Sequence, residues 1–194
     1  MARTPLSFDV EIRRILDVDA LEDLSDEEAE EADESGYLAG NQAYRDLRGW
    51  DWTAVGEVLE FERDLIRRFQ DAADPALEEE LFNEERLQTI EPVEELWGLD
   101  VGVAAATMAI SALGGSPVSS CNAGAFGNHH QARHPYVAFY LPKARAQQVL
   151  DLAEAADVGF IVDAGLAQIY ARTVVDLFRF AELAWARRQR TEQK

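Results

Sequence analysis

The chain has 194 residues, 47% of them apolar, and a formal net charge of −19. That is enough apolar material for one sizeable core or two small ones. The charge is uneven: residues 1–100 hold 30 acidic and 9 basic side chains, a balance of −21, and residues 101–194 hold 7 and 9, a balance of +2. Such a first half repels a phosphate backbone, so no nucleic-acid partner is expected for it, whereas a basic protein surface would suit it. The bland alternative is a solvated acidic shell.

Met1–Val10 has one Arg, one Asp and no apolar run, so no secretory leader is expected. The longest apolar segment, Val101–Leu113, is too short to cross a membrane. A single cysteine closes no internal disulfide, which suits a reducing compartment, by default the cytoplasm.

In residues 4–20, Phe8, Val10 and Ile12 alternate with acidic residues as in an edge strand, although a short helix also fits. Nine of the thirteen residues 22–34 are acidic. Ser25 can cap a short helix there, with Asp26, Glu27 and Glu28 at its positive end, but mutual repulsion weighs against its persistence, so this stretch is expected to be flexible or weakly helical. A brief helix fits residues 37–48, between Gly36 and Gly49. Asp51 or Thr53 then caps a strong helix reaching about Ala72, with Val55, Val58, Leu59, Leu65, Ile66 and Phe69 on one face. Trp50 and Trp52 read as staples of that helix to the core. Pro75 starts another helix through Leu81–Phe82, and Pro92 interrupts the chain before Trp97.

From Leu99 the composition changes. Val101–Leu113 carries no charge and is apolar nearly all round, as a buried helix is; Gly114–Gly115 ends it. Pro117–Ser119 enters a short strand delivering Ser120 and Cys121. Tyr136–Leu141 is a strand, Pro142 opens a helix to about Ala156, Val158–Val162 is a strand, and Asp163–Gly165 turns into a strand over Leu166–Tyr170. Thr173 and Asp176 resemble a capping box for a last helix to about Arg188. The expected class is α+β: an acidic, mainly helical region over residues 1–97 packed on an α-β-β-α-β-β-α unit over residues 98–194, with a small, mainly antiparallel sheet. The two can form one continuous globule.

Chemistry collects in residues 119–134, which hold the only cysteine and all three histidines. Cys121 is a candidate nucleophile, with His129 or His130 to take its proton and Asn122 to orient the histidine or donate to an oxyanion; the class would be acyl transfer or thiol-dependent hydrolysis. Ser119, Ser120, Gly124, Gly127 and Arg133 could cradle a small anionic ligand, with Gly165 across the turn and Lys143 nearby. Cys121, His129, His130 and His134 have the donor types of a zinc site, although Pro135 disfavours a helical His130/His134 pair. No glycine-rich nucleotide signature is present. Against all three stands the plain reading of Cys121 as a small buried residue ending a strand.

Over residues 119–124 the run Ser-Ser-Cys-x-x-Gly resembles the Ser-Ser-Cys segment of wybutosine-type tRNA-modifying proteins. No function is carried across from that likeness, because the acidic first half is wrong for a tRNA binder. The clustering of the histidines beside the cysteine puts a small-molecule site at 119–134 first, with the acidic half as lid or oligomer surface. The alternatives are a non-catalytic acidic module, of inhibitor or immunity type, docking a basic protein through residues 22–34, and a metal-binding protein. A homo-oligomer is compatible with any of them.

Overall fold

In the second half of the chain pairs of strands stand between helices, and the described helices of the first half pack or bond onto that unit. The computed structural model describes residues 7–36, 38, 46–74, 77–78, 80–81, 99–126 and 132–192, without the side chains of 189–192. The principal elements are α1 (Asp26–Ser35), α2 (Trp52–Asp71), α3 (Ala104–Ala112), β1 (Ser116–Cys121), β2 (Tyr136–Tyr140), a 3-10 turn (Lys143–Arg145) leading into α4 (Ala146–Ala156), β3 (Gly159–Asp163), β4 (Leu166–Tyr170) and α5 (Val174–Glu192). From α3 onward this is the expected α-β-β-α-β-β-α series in an α+β fold.

The sheet order is β1-β2-β4-β3, and every pairing is antiparallel. Strand side chains alternate between faces. Val137, Phe139, Phe160, Ala167 and Ile169 therefore point together into the core, where each is fully buried. Helices α3 and α4 pack on the sheet, and α2 and α5 pack against α3. Apolar residues from both halves, Leu21 and Leu47 to Ala184, share one hydrophobic core. The proposed division at 97/98 falls outside the described residues. Fully burying a side chain such as Phe139 or Ile169 is worth roughly 1.5–3 kcal/mol.

Helix α3 is buried on every side, from Ala104 to Ser111, as its charge-free composition requires. Asp51 caps α2 by accepting from the amides of Thr53 and Ala54. Thr173 and Asp176 form the reciprocal bonds of a capping box for α5. The expected helix over 37–48 lies mostly outside the described residues, as do Phe82 and the stretch to Trp97.

Two stretches differ from expectation. Residues 22–34 are more ordered than their charge suggested: α1 is a ten-residue helix with a complete Ser25/Glu28 capping box and a left-handed Gly36 closing it. Three anchors offset the repulsion, the buried Ala32, the Tyr140 hydroxyl on Glu28, and Arg48 bonded to the Ala29 carbonyl and to Asp33. Residues 7–17 form no long strand, yet their exposure alternates residue by residue as in one. Arg14 makes a single parallel bridge to Phe160 on β3. The Arg14 guanidinium then clasps the Val158 carbonyl at 2.9 Å and Asp157 at 2.6 Å.

Candidate functional site

Antiparallel register builds the neighbourhood of Cys121. Cys121, Tyr136, Tyr170 and Gly159 stand side by side across the four strands. The Tyr136 hydroxyl lies 2.8 Å from Ser119 Oγ, and the His134 ring is 5.1 Å from the ring of Tyr170. Ser119 thus meets Tyr136 and His134 meets Tyr170 at the end of the sheet where Cys121 closes β1. Residues 11–13 roof that end: the Tyr170 hydroxyl donates to the Glu11 carbonyl and accepts from the Arg13 amide, both at 3.0 Å. Gly159 is required there, because an added Cβ would stand 2.3 Å from the Tyr170 ring.

Asn122 is 2% exposed and holds the turn after β1. Its Nδ2 donates to the Val101 carbonyl at 3.0 Å, and its Oδ1 accepts from the Gly124 amide at 2.9 Å. Ala123 and Gly124 both take positive φ, which tightens the turn. Among the described residues of the loop three amides are already engaged: Ala123 to Cys121 Sγ at 3.3 Å, Gly124 to the Asn122 side chain, and Ala125 to the Asn122 carbonyl at 3.1 Å. Asn122 is therefore engaged as a brace, and Gly124 serves the turn.

Burial pushes the Cys121 thiol above its ordinary pKa, and the nearby Asp100 carboxylate adds to this; the amides of Ala123 and Ala132 only partly oppose it. An activated thiolate needs the reverse. Burial also lowers the pKa of His134, disfavouring its charged form. Arg133 is exposed. Ser120 is half-buried and faces Val137 across the ladder. Gly165 lies at the opposite end of the sheet, in the β3–β4 turn, so it does not join the loop. Lys143, following β2, is likewise at that far end. Gly127, His129 and His130 are outside the described residues; among the described residues no three His, Cys, Asp or Glu side chains group as metal ligands.

A second surface has a different character. On α1, Asp26, Glu27, Glu30, Glu31, Asp33 and Glu34 are exposed. Only Asp33 of these is in an ion pair among the described residues, with Arg48 at 2.5 Å. Arg48 is also bound by Asp46 at 2.7 Å. It lines an open cleft of about 440 Å³ with Trp50, Asp51, Thr53 and Glu57. The cleft thus adjoins α1 and adds two exposed carboxylates, Asp51 and Glu57.

Three residues not singled out from sequence organise these regions: Tyr136, Tyr140 and Glu62. Tyr140 fastens α1 to the sheet. Glu62 lies on the buried stripe of α2, between Leu59 and Ile66, and is fully buried. A carboxylate at helical spacing within an apolar stripe was the available signal.

No protein-family model matches the chain, and no curated protein or solved structure gives a match. Among the described residues, no helix is long and apolar enough to cross a membrane.

Proposed function

We propose that the protein is a non-catalytic acidic docking module that binds a basic protein partner through α1 and the adjoining cleft. The observation that carries this reading is the row Asp26, Glu27, Glu30, Glu31 and Glu34, exposed on a helix fixed to the core and outside any ion pair among the described residues. Ordering this segment costs roughly 1–2 kcal/mol of backbone entropy per residue. It also holds three like-charged pairs four residues apart, 26/30, 27/31 and 30/34, each destabilising by about 0.2–0.5 kcal/mol. A surface serving only solubility needs neither expense. A pre-ordered carboxylate row steers a cationic partner and leaves less to be ordered on binding.

The test is a substitution set. Replacing Glu27, Glu30, Glu31 and Glu34 by Gln should weaken binding to a lysine- and arginine-rich peptide at least tenfold with the fold intact. Removing the same number of charges elsewhere, at Glu60, Asp64, Glu154 and Asp163, should weaken it far less. Equal loss in both sets sinks the docking face.

A second reading keeps a small-molecule site in loop 119–134, with Cys-dependent acyl transfer or hydrolysis as its chemistry. What favours it is that Cys121 and Ser119 adjoin Tyr136 while His134 adjoins Tyr170, the strand neighbour of Tyr136. What weighs against it is the raised thiol pKa and the commitment of Asn122 to its own turn. In its metal-binding form, zinc on Cys121, His129, His130 and His134, protein purified without chelator should carry near-stoichiometric metal that a His129→Ala/His130→Ala variant loses.

A further inference from the structure

Glu62 is a carboxyl group buried with no cation beside it among the described residues. Its Oε1 accepts from the Gly102 amide at 2.5 Å and the Ala104 amide at 3.0 Å; its Oε2 accepts from the Ala105 amide at 3.1 Å. The Ala104 and Ala105 amides are orphan donors of the first turn of α3, whose own cap position, Val103, offers no side-chain bond, and the Gly102 amide just precedes that cap. The carboxyl of α2 therefore caps α3 from outside.

The same turn leads to the loop after Cys121. Gly102, held by Glu62, takes a positive φ and abuts Phe126 and Val174, so that an added Cβ would meet both at 2.8 Å. The neighbouring Val101 carbonyl accepts from Asn122 Nδ2, and Asp100 accepts from the Asn122 amide at 3.4 Å. A short covalent and hydrogen-bonded path thus runs from Glu62 through residues 100–102 to Asn122 and Gly124.

We propose that Glu62 is a proton-controlled latch, holding the 100–103 turn closed when protonated and loosening that turn, with the Asn122 loop beyond it, when the proton is lost. Full burial without a counter-ion makes the ionised closed state costly. Opening would hydrate the carboxylate and relieve that cost. The surrounding elements supply little compensation. Helix α3 has no ionisable group, and the turn brings only Asp100, an acid. Helix α5 brings Asp176, bonded to Thr173, together with Arg179 and Glu182, the latter paired with Arg63 of α2 at 3.3 Å; the flanking charges on α2 are Arg63, Asp64 and Arg67. Burial raises the Glu62 pKa to about 7 against the pull of the three amides.

The sign follows by linkage. A raised pKa in the closed state means that closure is strongest below the ordinary glutamate value of 4.5 and is lost as pH rises toward about 7, with a plateau above. One proton changes the opening constant about tenfold per pH unit within that window. The experiment is amide exchange by NMR on the full chain from pH 5.5 to 8, each rate divided by its intrinsic base-catalysed value. Protection at Gly102, Ala104 and Gly124 should fall on the order of 30-fold between pH 5.5 and 8, levelling off above pH 7, and Glu62→Gln should abolish the dependence. Flat protection in the unmodified chain, or the same slope in Glu62→Gln, overturns the latch. Should that variant fail to fold, the side-chain carbon resonance of Glu62 in the unmodified chain decides: titration near neutrality supports the latch, and titration in the ordinary glutamate range overturns it.

Discussion

The Tyr140 hydroxyl donates to Glu28 Oε1 at 2.8 Å, joining residues 112 apart in sequence. The other oxygen of Glu28 accepts from the Ser25 hydroxyl and amide. One carboxylate therefore closes the cap of α1 and ties it to the sheet. Tyr140→Phe removes the tie and leaves the cap. It should cost about 1 kcal/mol in denaturant unfolding and speed amide exchange along α1, with the sheet amides unchanged. Unchanged exchange on α1 would mean that the tie does not order it.

The same pair gives a pH signature. Chiefly the Ser25 hydroxyl, then its amide and Tyr140, hold the Glu28 carboxyl below its usual range, so this stabilisation is present above that range and lost as pH falls through the lowered value. Burial, reinforced by Glu28, pushes the Tyr140 hydroxyl up to about 12. Its contribution is full below the ordinary tyrosine value of 10 and lost as pH rises through about 12. In Tyr140→Phe the alkaline part of the stability profile should flatten, as measured by urea unfolding at stepped pH.

Asn122→Ala should be the more damaging change. It strips the Val101 carbonyl of a buried donor and removes the acceptor of the Gly124 amide. An unsatisfied buried polar group costs about 1–3 kcal/mol, which a shifted denaturant midpoint would reveal. A loss below a few tenths would show that the loop does not depend on this brace.

Cys121 should react slowly with iodoacetamide in the folded protein at neutral pH and at the rate of a free thiol once unfolded. The reason is its burial and the upward shift of its pKa, which keep thiolate scarce. Fast labelling of the folded protein would instead support a thiol-based site.

Much of the second half was legible in sequence because its signals were local. Pro142, Gly165, Thr173 with Asp176, and the charge-free run before Gly114 each fix an element boundary by a property of one or two residues. The order β1-β2-β4-β3 was not legible, since strand neighbours are chosen by packing across the chain. Helix α1 was read as weak because its repulsion is local, whereas its anchors, Tyr140 and Arg48, are remote or lie beyond a turn. The candidate loop was legible as a gathering of residue types, but the roles of Asn122 and Gly124 depend on Val101 and on the turn itself. Glu62 was concealed for the same reason: its partners are backbone amides forty residues or more away.

The docking proposal is tested most directly by mapping amide chemical shifts while the chain is titrated with a lysine- and arginine-rich peptide at physiological salt. Perturbations should concentrate on Asp26–Glu34 and on the cleft residues Arg48–Glu57, and should vanish when Glu27, Glu30, Glu31 and Glu34 are replaced by Gln. Perturbations spread evenly over the acidic surface, or unaltered by that replacement, would contradict a docking face on α1.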